Sequence, residues 1–333
     1  MHKQEVTIYD VARKAKVSMA TVSRVVNGNN NVRKETRDRV MKVINRLHYQ
    51  PNAVAQGLAS KRTTTVGLIV PDLTNLYFAE LSKGIDDIAL LYKYNIIMTS
   101  IENRLMKEDQ AIQSLLNKQV DGVIYMSNRL PREAAEAFKR TDTPVVLAGT
   151  KDNREEFPSV TIDYKKADTE AFNLMYNDGK KNLALVIGDP KAVVNDENRI
   201  PAYKQFMKEH DLGAGHVYTG IKDHSDGYNI YSQLVKDGID GVVVTRDITA
   251  VGILNSAMDA GKKIPEDLEI VTASATQIAS VVRPALTAIR QPLYDMGAVA
   301  MRMLTKLMNS EKVDNIHMEL PYELLKKQST LNH

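Results

Sequence analysis

Residues 18 to 26, SMATVSRVV, gather side chains that can read a nucleic-acid surface. At helical spacing Val22, Val25 and Val26 fall on one side, which leaves Met19, Ala20, Thr21, Ser23 and Arg24 toward solvent, with Ser18 at the helix start. The Arg24 guanidinium can donate two hydrogen bonds to guanine O6 and N7. Ser18 and Thr21 can bond phosphates or base edges, and Met19 and Ala20 can touch apolar base atoms such as the thymine methyl. A face of this chemistry suits a DNA major groove.

Holding that face in place takes partner helices, and the flanking residues predict two. Ile8, Val11, Ala12 and Ala15 recur at helical spacing behind Thr7 and Asp10, which have the Thr-x-x-Asp form of an N-terminal cap. Ser18 can cap the second helix after a turn at Lys16 and Val17, and a third, Lys34 to Leu47, brings Val40, Val43, Ile44 and Leu47 to close a small core. An ordinary helical hairpin shares this pattern. Charge weighs against it. Residues 1 to 62 carry 13 Lys/Arg and 4 Asp/Glu, a net +9, whereas the remainder carries 31 and 37, a net −6. The whole-chain +3 thus hides a basic head on an acidic body. The head can neutralise phosphates and release counterions, while the body is repelled by DNA and left to face something else.

Other classes are disfavoured by what the chain lacks. With no Cys there is no disulfide, thiolate metal site or cysteine nucleophile. The seven histidines show no HxxxH or HExxH spacing, and Gly67 and Gly84 form no Gly-x-Gly-x-x-Gly turn after the first strand, so neither a metal nor a cofactor is expected. No apolar run approaches the ~18 residues of a membrane span, and the polar start MHKQEVT does not read as a signal peptide. A cytoplasmic chain without membrane contact is therefore expected. No motif converges a nucleophile, a base and an orienting group, which argues against an enzyme.

Beyond residue 62, apolar runs alternate with amphipathic helical stretches. Residues 66–70, 95–98, 122–126, 144–148, 183–187, 241–245 and 268–272 read as buried parallel strands. Helices are predicted over 78–91, 108–116, 167–176, 202–210, 227–236 and 249–260. This order implies an α/β body of doubly wound sheets. Some 270 residues exceed one such core, so two lobes are expected with a ligand cleft between them, beyond the carboxyl ends of the strands.

The strings TIYDVAR, VSMATVSRVVNG, PNAVAQGLASK and TTTVGLIVPD, together with YKYNII, KQVDGVI and QPLYDMGAVAMRMLTKLMN, closely resemble the lactose-repressor (LacI/GalR) family. The resemblance spans nearly the whole chain but is dense only toward its two ends, with residues 127 to 240 matching loosely. It implies a three-helix helix-turn-helix head over 1–49 and a hinge helix or linker over 50–62. It also implies a periplasmic-binding-protein-like body whose lobes are discontinuous, one formed by 63–162 with 291–321 and the other by 163–290 with 322–333. The implied partners are a pseudo-palindromic double-stranded operator and a second copy of the chain. Thr7, Tyr9 and Asn31 join the DNA-contacting set in the head, as do Asn52, Ala55 and Leu58 in the hinge. Pro51 at the hinge start and the small residues Ala53, Ala55 and Gly57 would let two hinge helices pair while Leu58 wedges into the minor groove. One departure stands out: Gln50 and Gln56 occupy positions where close relatives carry arginines, so roughly two counterion-releasing contacts per subunit are missing.

By motif position the sugar-holding residues of the family correspond to Arg199, Arg246 and Ser274, and only the first is kept. Losing a carboxylate at Ser274 and gaining a cation at Arg246 favours an anion such as a sugar phosphate over a neutral sugar. The alternative is a degenerate pocket in which Arg246 pairs with Asp247 or Asp223. In one branch of the family the phosphocarrier protein HPr, when phosphorylated on serine, docks on the body as a corepressor. The match to residues 291–309 implies that Arg302 and Lys306, one helical turn apart, cradle that phosphate, with Asp87, Tyr294 and Asp295 flanking it. A plain solvated helix face would show the same spacing.

Overall fold

The computed structural model of the protein describes residues 6–26, 28, 31–49, 62–101, 108–127, 129–152 and 154–331. The expected hinge, including Gln50, Asn52, Ala55, Gln56 and Leu58, lies outside the described residues. The chain divides into two compact units, Met1–Thr63 and Thr64–His333.

In the first unit α1 spans Ile8–Ala15, α2 Met19–Val26 and α3 Lys34–Leu47. At the start of α1 the Thr7 amide donates to Asp10 Oδ2 at 3.0 Å and the Thr7 hydroxyl donates to the same oxygen at 2.8 Å. The left-handed Lys16 (φ 55°) ends α1 and turns the chain into α2. Val11, Ala12, Ala15, Val22, Val25 and Val40 form the core, flanked by Ile8, Val43, Ile44 and Leu47.

The second unit alternates strand and helix. Its first half comprises β1 (Thr65–Val70), α4 (Leu76–Leu91), β2 (Asn95–Ser100), α5 (Glu108–Asn117), β3 (Gly122–Tyr125), α6 (Arg132–Arg140), β4 (Val145–Ala148) and β5 (Ser159–Thr161). After α7 (Tyr164–Asn177) come β6 (Leu183–Val186), a π-helical turn at Asn195–Arg199, α8 (Ile200–Glu209), β7 (His216–Tyr218) and α9 (His224–Lys236). Next are β8 (Gly241–Val244), α10 (Asp247–Asp259), β9 (Glu269–Thr272), α11 (Gln277–Val281) and β10 (Thr287–Arg290). The chain ends with α12 (Leu293–Met308), β11 (His317–Glu319) and β12 (Glu323–Leu325).

Two six-stranded sheets result, in the orders β11-β5-β4-β3-β1-β2 and β12-β10-β9-β8-β6-β7. Every pairing is parallel except β10 with β12. The chain therefore passes from the first sheet to the second after β5, back to the first between β10 and β11, and to the second again before β12. One apolar cluster joins Val66, Leu68, Leu81, Ile85 and Met301 to Phe172, Tyr203 and Phe206. Separate clusters around Ile112, Tyr125 and Phe138, and around Leu234, Val242 and Ile253, cover the other faces of the two sheets. All seven sequence-derived strands are present, with one correction. β2 is an edge strand, half-exposed rather than buried, because only β1 covers it. β5 (SVT), β7 (HVY), β10 (TAIR), β11 (HME) and β12 (ELL) are three or four residues long and interleave polar side chains, so they show no apolar run, and the sequence pattern missed them together with α6 and α11.

Candidate functional site

In the first unit the exposed face of α2 carries Met19, Ala20 and Arg24, with Ser18 exposed at its start. Thr21 and Ser23 are half-buried, a correction to the expectation that they point fully to solvent, because α2 rolls toward α1 and α3. Ser18 Oγ accepts the Thr21 amide at 3.2 Å and lies 2.9 Å from Thr21 Oγ1, so it caps the helix. Thr7, Tyr9 and Asn31 are exposed, Tyr9 at 66 %. Among the described residues no ion pair holds Arg24.

In the second unit a cavity of about 220 Å³ opens between the carboxyl ends of the two sets of strands. The first sheet's elements supply Pro71, Asn75, Tyr77, Phe78, Ala148 and Gly149, and the second's supply Asp189, Asn195, Lys222, Thr245 and Gln291. Arg199, Arg246 and Ser274 all line it, so the structure brings together the three residues singled out from distant positions in the sequence. It also changes their meaning. Arg199, placed by the π-helical turn ahead of α8, donates from Nη1 to Asp168 Oδ1 at 2.6 Å, and both side chains are almost fully buried. Burial pushes the Asp168 carboxyl up against the pull of Arg199, and its second oxygen finds no hydrogen-bond partner among the described residues.

Arg246 pairs with neither Asp247 nor Asp223. Its Nη2 lies 3.5 Å from Asp72 Oδ2 and its Nη1 donates to the Lys222 carbonyl at 2.8 Å. Asp247 instead accepts the Thr276 amide and hydroxyl, and Asp223 caps α9 by accepting the Asp226 amide at 2.8 Å. The expected pairing of Arg246 is thus corrected to Asp72, and both cavity arginines face a carboxylate. Sequence reasoning missed Asp168 and Asp72, although Asp72 sits just past the carboxyl end of β1, where ligand-site residues of such sheets gather. It also missed Tyr77 and Gln291. The Tyr77 hydroxyl donates to Gln291 Oε1 at 3.2 Å and Gln291 Nε2 donates to the Ala273 carbonyl at 2.8 Å, which ties α4 to the second sheet.

A second surface lies where α4 crosses α12. The crossing is unusually close: a Cβ on Gly84 would sit 2.0 Å from the Tyr294 carbonyl oxygen, and one on Gly297 2.0 Å from the Leu81 carbonyl oxygen. Met301, Met303 and Leu304 are buried against the sheet, and Met308 is half-buried. On the outer side the Tyr294 hydroxyl donates to Asp87 Oδ2 at 2.9 Å, which raises the Tyr294 pKa. Asp295, Arg302 and Lys306 are exposed and, at 100° per residue, fall within about 40° of one another around α12. Neither Arg302 nor Lys306 has an ion-pair partner among the described residues.

A basic three-helix unit with a groove-sized polar helix, together with a two-sheet body that has a cleft at the strand ends, defines a DNA-binding regulator with a periplasmic-binding-like body. Residues 7–52 match the lacI family of bacterial regulatory proteins, and residues 172–330 match the periplasmic binding protein-like domain. The chain is 75 % identical over 332 residues, the full length of both proteins, to the HTH-type transcriptional regulator pepR1 of Lactobacillus delbrueckii subsp. lactis. It is 45 % identical to catabolite control protein A of Priestia megaterium, covering 98 % of this chain and 99 % of that one. The crystal structure of the transcription regulator CcpA of Lactococcus lactis, 40 % identical, superposes with a TM-score of 0.76 over 81 % of this chain and all of that one. The chain belongs to the lacI family. It is a DNA-binding transcriptional regulator that resembles catabolite control protein A, in a family of regulators rather than enzymes. No helix among the described residues is long and apolar enough to cross a membrane.

Proposed function

We propose that the protein is a homodimeric, cytoplasmic regulator of carbon catabolite control whose grip on a pseudo-palindromic operator is set by HPr phosphorylated on serine, docked on α4 and α12. In this reading the head, residues 1–49, contacts the major groove through α2, with Arg24 the bidentate base donor and Thr7, Tyr9, Ser18, Met19, Ala20, Thr21, Ser23 and Asn31 around it. The linker, residues 50–62, contributes Asn52, Ala55 and the Leu58 wedge. The first lobe is residues 63–162 with 291–321, and the second is 163–290 with 322–333.

One observation carries the partner assignment. Among the described residues Arg302 and Lys306 stand exposed without an ion-pair partner one turn apart, next to the Asp87–Tyr294 pair, so a phosphate of about two negative charges meets two cations without first breaking an ion pair. The identity to catabolite control protein A over the full length supports the same reading. Docking there would stabilise the DNA-competent arrangement of the body.

A second reading, control by a small anion such as a sugar phosphate, has one observation in its favour. Arg199, Arg246, Lys222 and Ser274 share one cavity. Against it, both arginines are already paired. Footprinting of operator DNA with the protein alone, with serine-phosphorylated HPr and with a sugar phosphate separates the two. Enhanced protection by phosphorylated HPr alone supports the first reading, and enhancement by the sugar phosphate alone supports the second.

A further inference from the structure

We infer that Asp72 and Arg246 form an electrostatic latch that holds the loops of the two sheets closed over the cavity. Each partner is fixed within its own half of the body before they meet. Asp72 Oδ1 accepts the Thr74 amide at 2.8 Å and the Thr74 hydroxyl at 2.6 Å, which turns Oδ2 toward the other sheet. Across the cavity mouth Arg246, at the N-terminus of α10, is anchored by the Lys222 carbonyl at 2.8 Å and reaches Asp72 Oδ2 at 3.5 Å. Because neither side chain has to be ordered afresh, little conformational entropy is lost when the pair forms.

The two side chains are 26 % and 24 % exposed, so water and salt reach the pair without drowning it. Nearby, the same rim sets like charges together. Burial and the Asp247 charge push the pKa of Glu80 on α4 up. The three passages of the chain between the sheets leave the body able to hinge, and a latch at the mouth biases that hinge. The latch depends neither on a ligand in the cavity nor on a partner on α12.

The absence of cysteine makes the test clean. Spin labels at Glu133→Cys on α6 and Lys236→Cys on α9, both exposed, report the separation of the two sheets in the full-length protein. Labelled chains are diluted among unlabelled ones so that one pair is read. Asp72→Asn and Arg246→Gln should each lower the short-distance population about two- to five-fold, the range of a partly exposed pair, and the double variant should add nothing further. Raising salt to about 1 M, where the Debye length is about 3 Å, should move the unsubstituted protein the same way and leave Asp72→Asn unchanged. A distribution that ignores both Asp72→Asn and salt, or single effects that simply add, would overturn the latch. The salt arm needs no substitution at the pair, so it tests the latch even if Arg246→Gln folds poorly.

Discussion

The two arginines of the cavity and the two cations of the α12 surface come from the same polypeptide and are built in opposite ways. Arg199 is locked to buried Asp168 at 2.6 Å, and Arg246 faces Asp72 at 3.5 Å. Arg302 and Lys306 point into solvent with no ion-pair partner among the described residues, and Arg24 in the DNA-binding head shares that state. A cation taken out of water must bring its counter-charge with it, because the desolvation cost exceeds what a pocket alone returns. An exposed cation keeps its hydration and stays open to an anion on another molecule. The residue type therefore does not tell a structural arginine from a recognising one; the presence of a fixed carboxylate does.

Three substitutions probe that contrast. The largest effect is expected inside: Arg199→Ala strands the Asp168 carboxylate and should cost about 3–5 kcal/mol by chemical denaturation, whereas Arg246→Gln, removing a quarter-exposed partner, should cost below about 1 kcal/mol. Equal losses would break the distinction. In the head, Arg24→Ala should weaken cognate binding by about 1–3 kcal/mol and relax preference at one guanine, while leaving nonspecific affinity and folding nearly unchanged. An equal loss on random DNA would reduce Arg24 to a backbone contact.

The smallest expected effect concerns an interior acid that no ion pair holds among the described residues. Glu269 accepts the Leu331 amide at 2.7 Å, while Lys180 spends its ammonium on the Pro265 and Glu266 carbonyls. Burial, with Asp178 beside it, raises the Glu269 pKa to about 7. The folded state thus holds a proton that the unfolded chain has released. The stability this gives is full below about pH 4.5 and is lost as pH rises through about 7. Glu269→Gln keeps a neutral group there, so its melting temperature should decline less than the unsubstituted protein's between pH 5 and pH 8, by roughly a few degrees. Parallel melting curves would show that the proton is not held.

Much of this organisation is written in local pattern. The three helices of the head follow from Thr7, Asp10 and the spacing of Val11, Ala15, Val22, Val25 and Val40, since capping and periodicity act within a few residues. Runs such as residues 241–244 announce buried strands. Elements held by register alone, such as β11 beside β5 and β12 beside β10, leave no trace in three residues of sequence. The site was half legible. Motif position singled out Arg199, Arg246 and Ser274, and the family resemblance, not helical spacing alone, singled out Arg302 and Lys306. What the arginines are paired with depends on Asp72 and Asp168, 174 and 31 positions away in the chain, which only the fold brings near. The close crossing at Gly84 and Gly297 was hidden for the same reason.

Whether the unmatched cations of α12 receive a phosphorylated protein, and whether the DNA-binding head responds, is decided by operator affinity. It should be measured with and without saturating serine-phosphorylated HPr, for the unsubstituted protein and for Arg302→Glu. The phosphorylated partner should tighten binding about 5- to 150-fold, the usual span of allosteric coupling, and unphosphorylated HPr should hardly change it, while Arg302→Glu should lose the enhancement and keep its basal affinity. A variant that still responds fully would contradict the docking assignment and move control to the cavity.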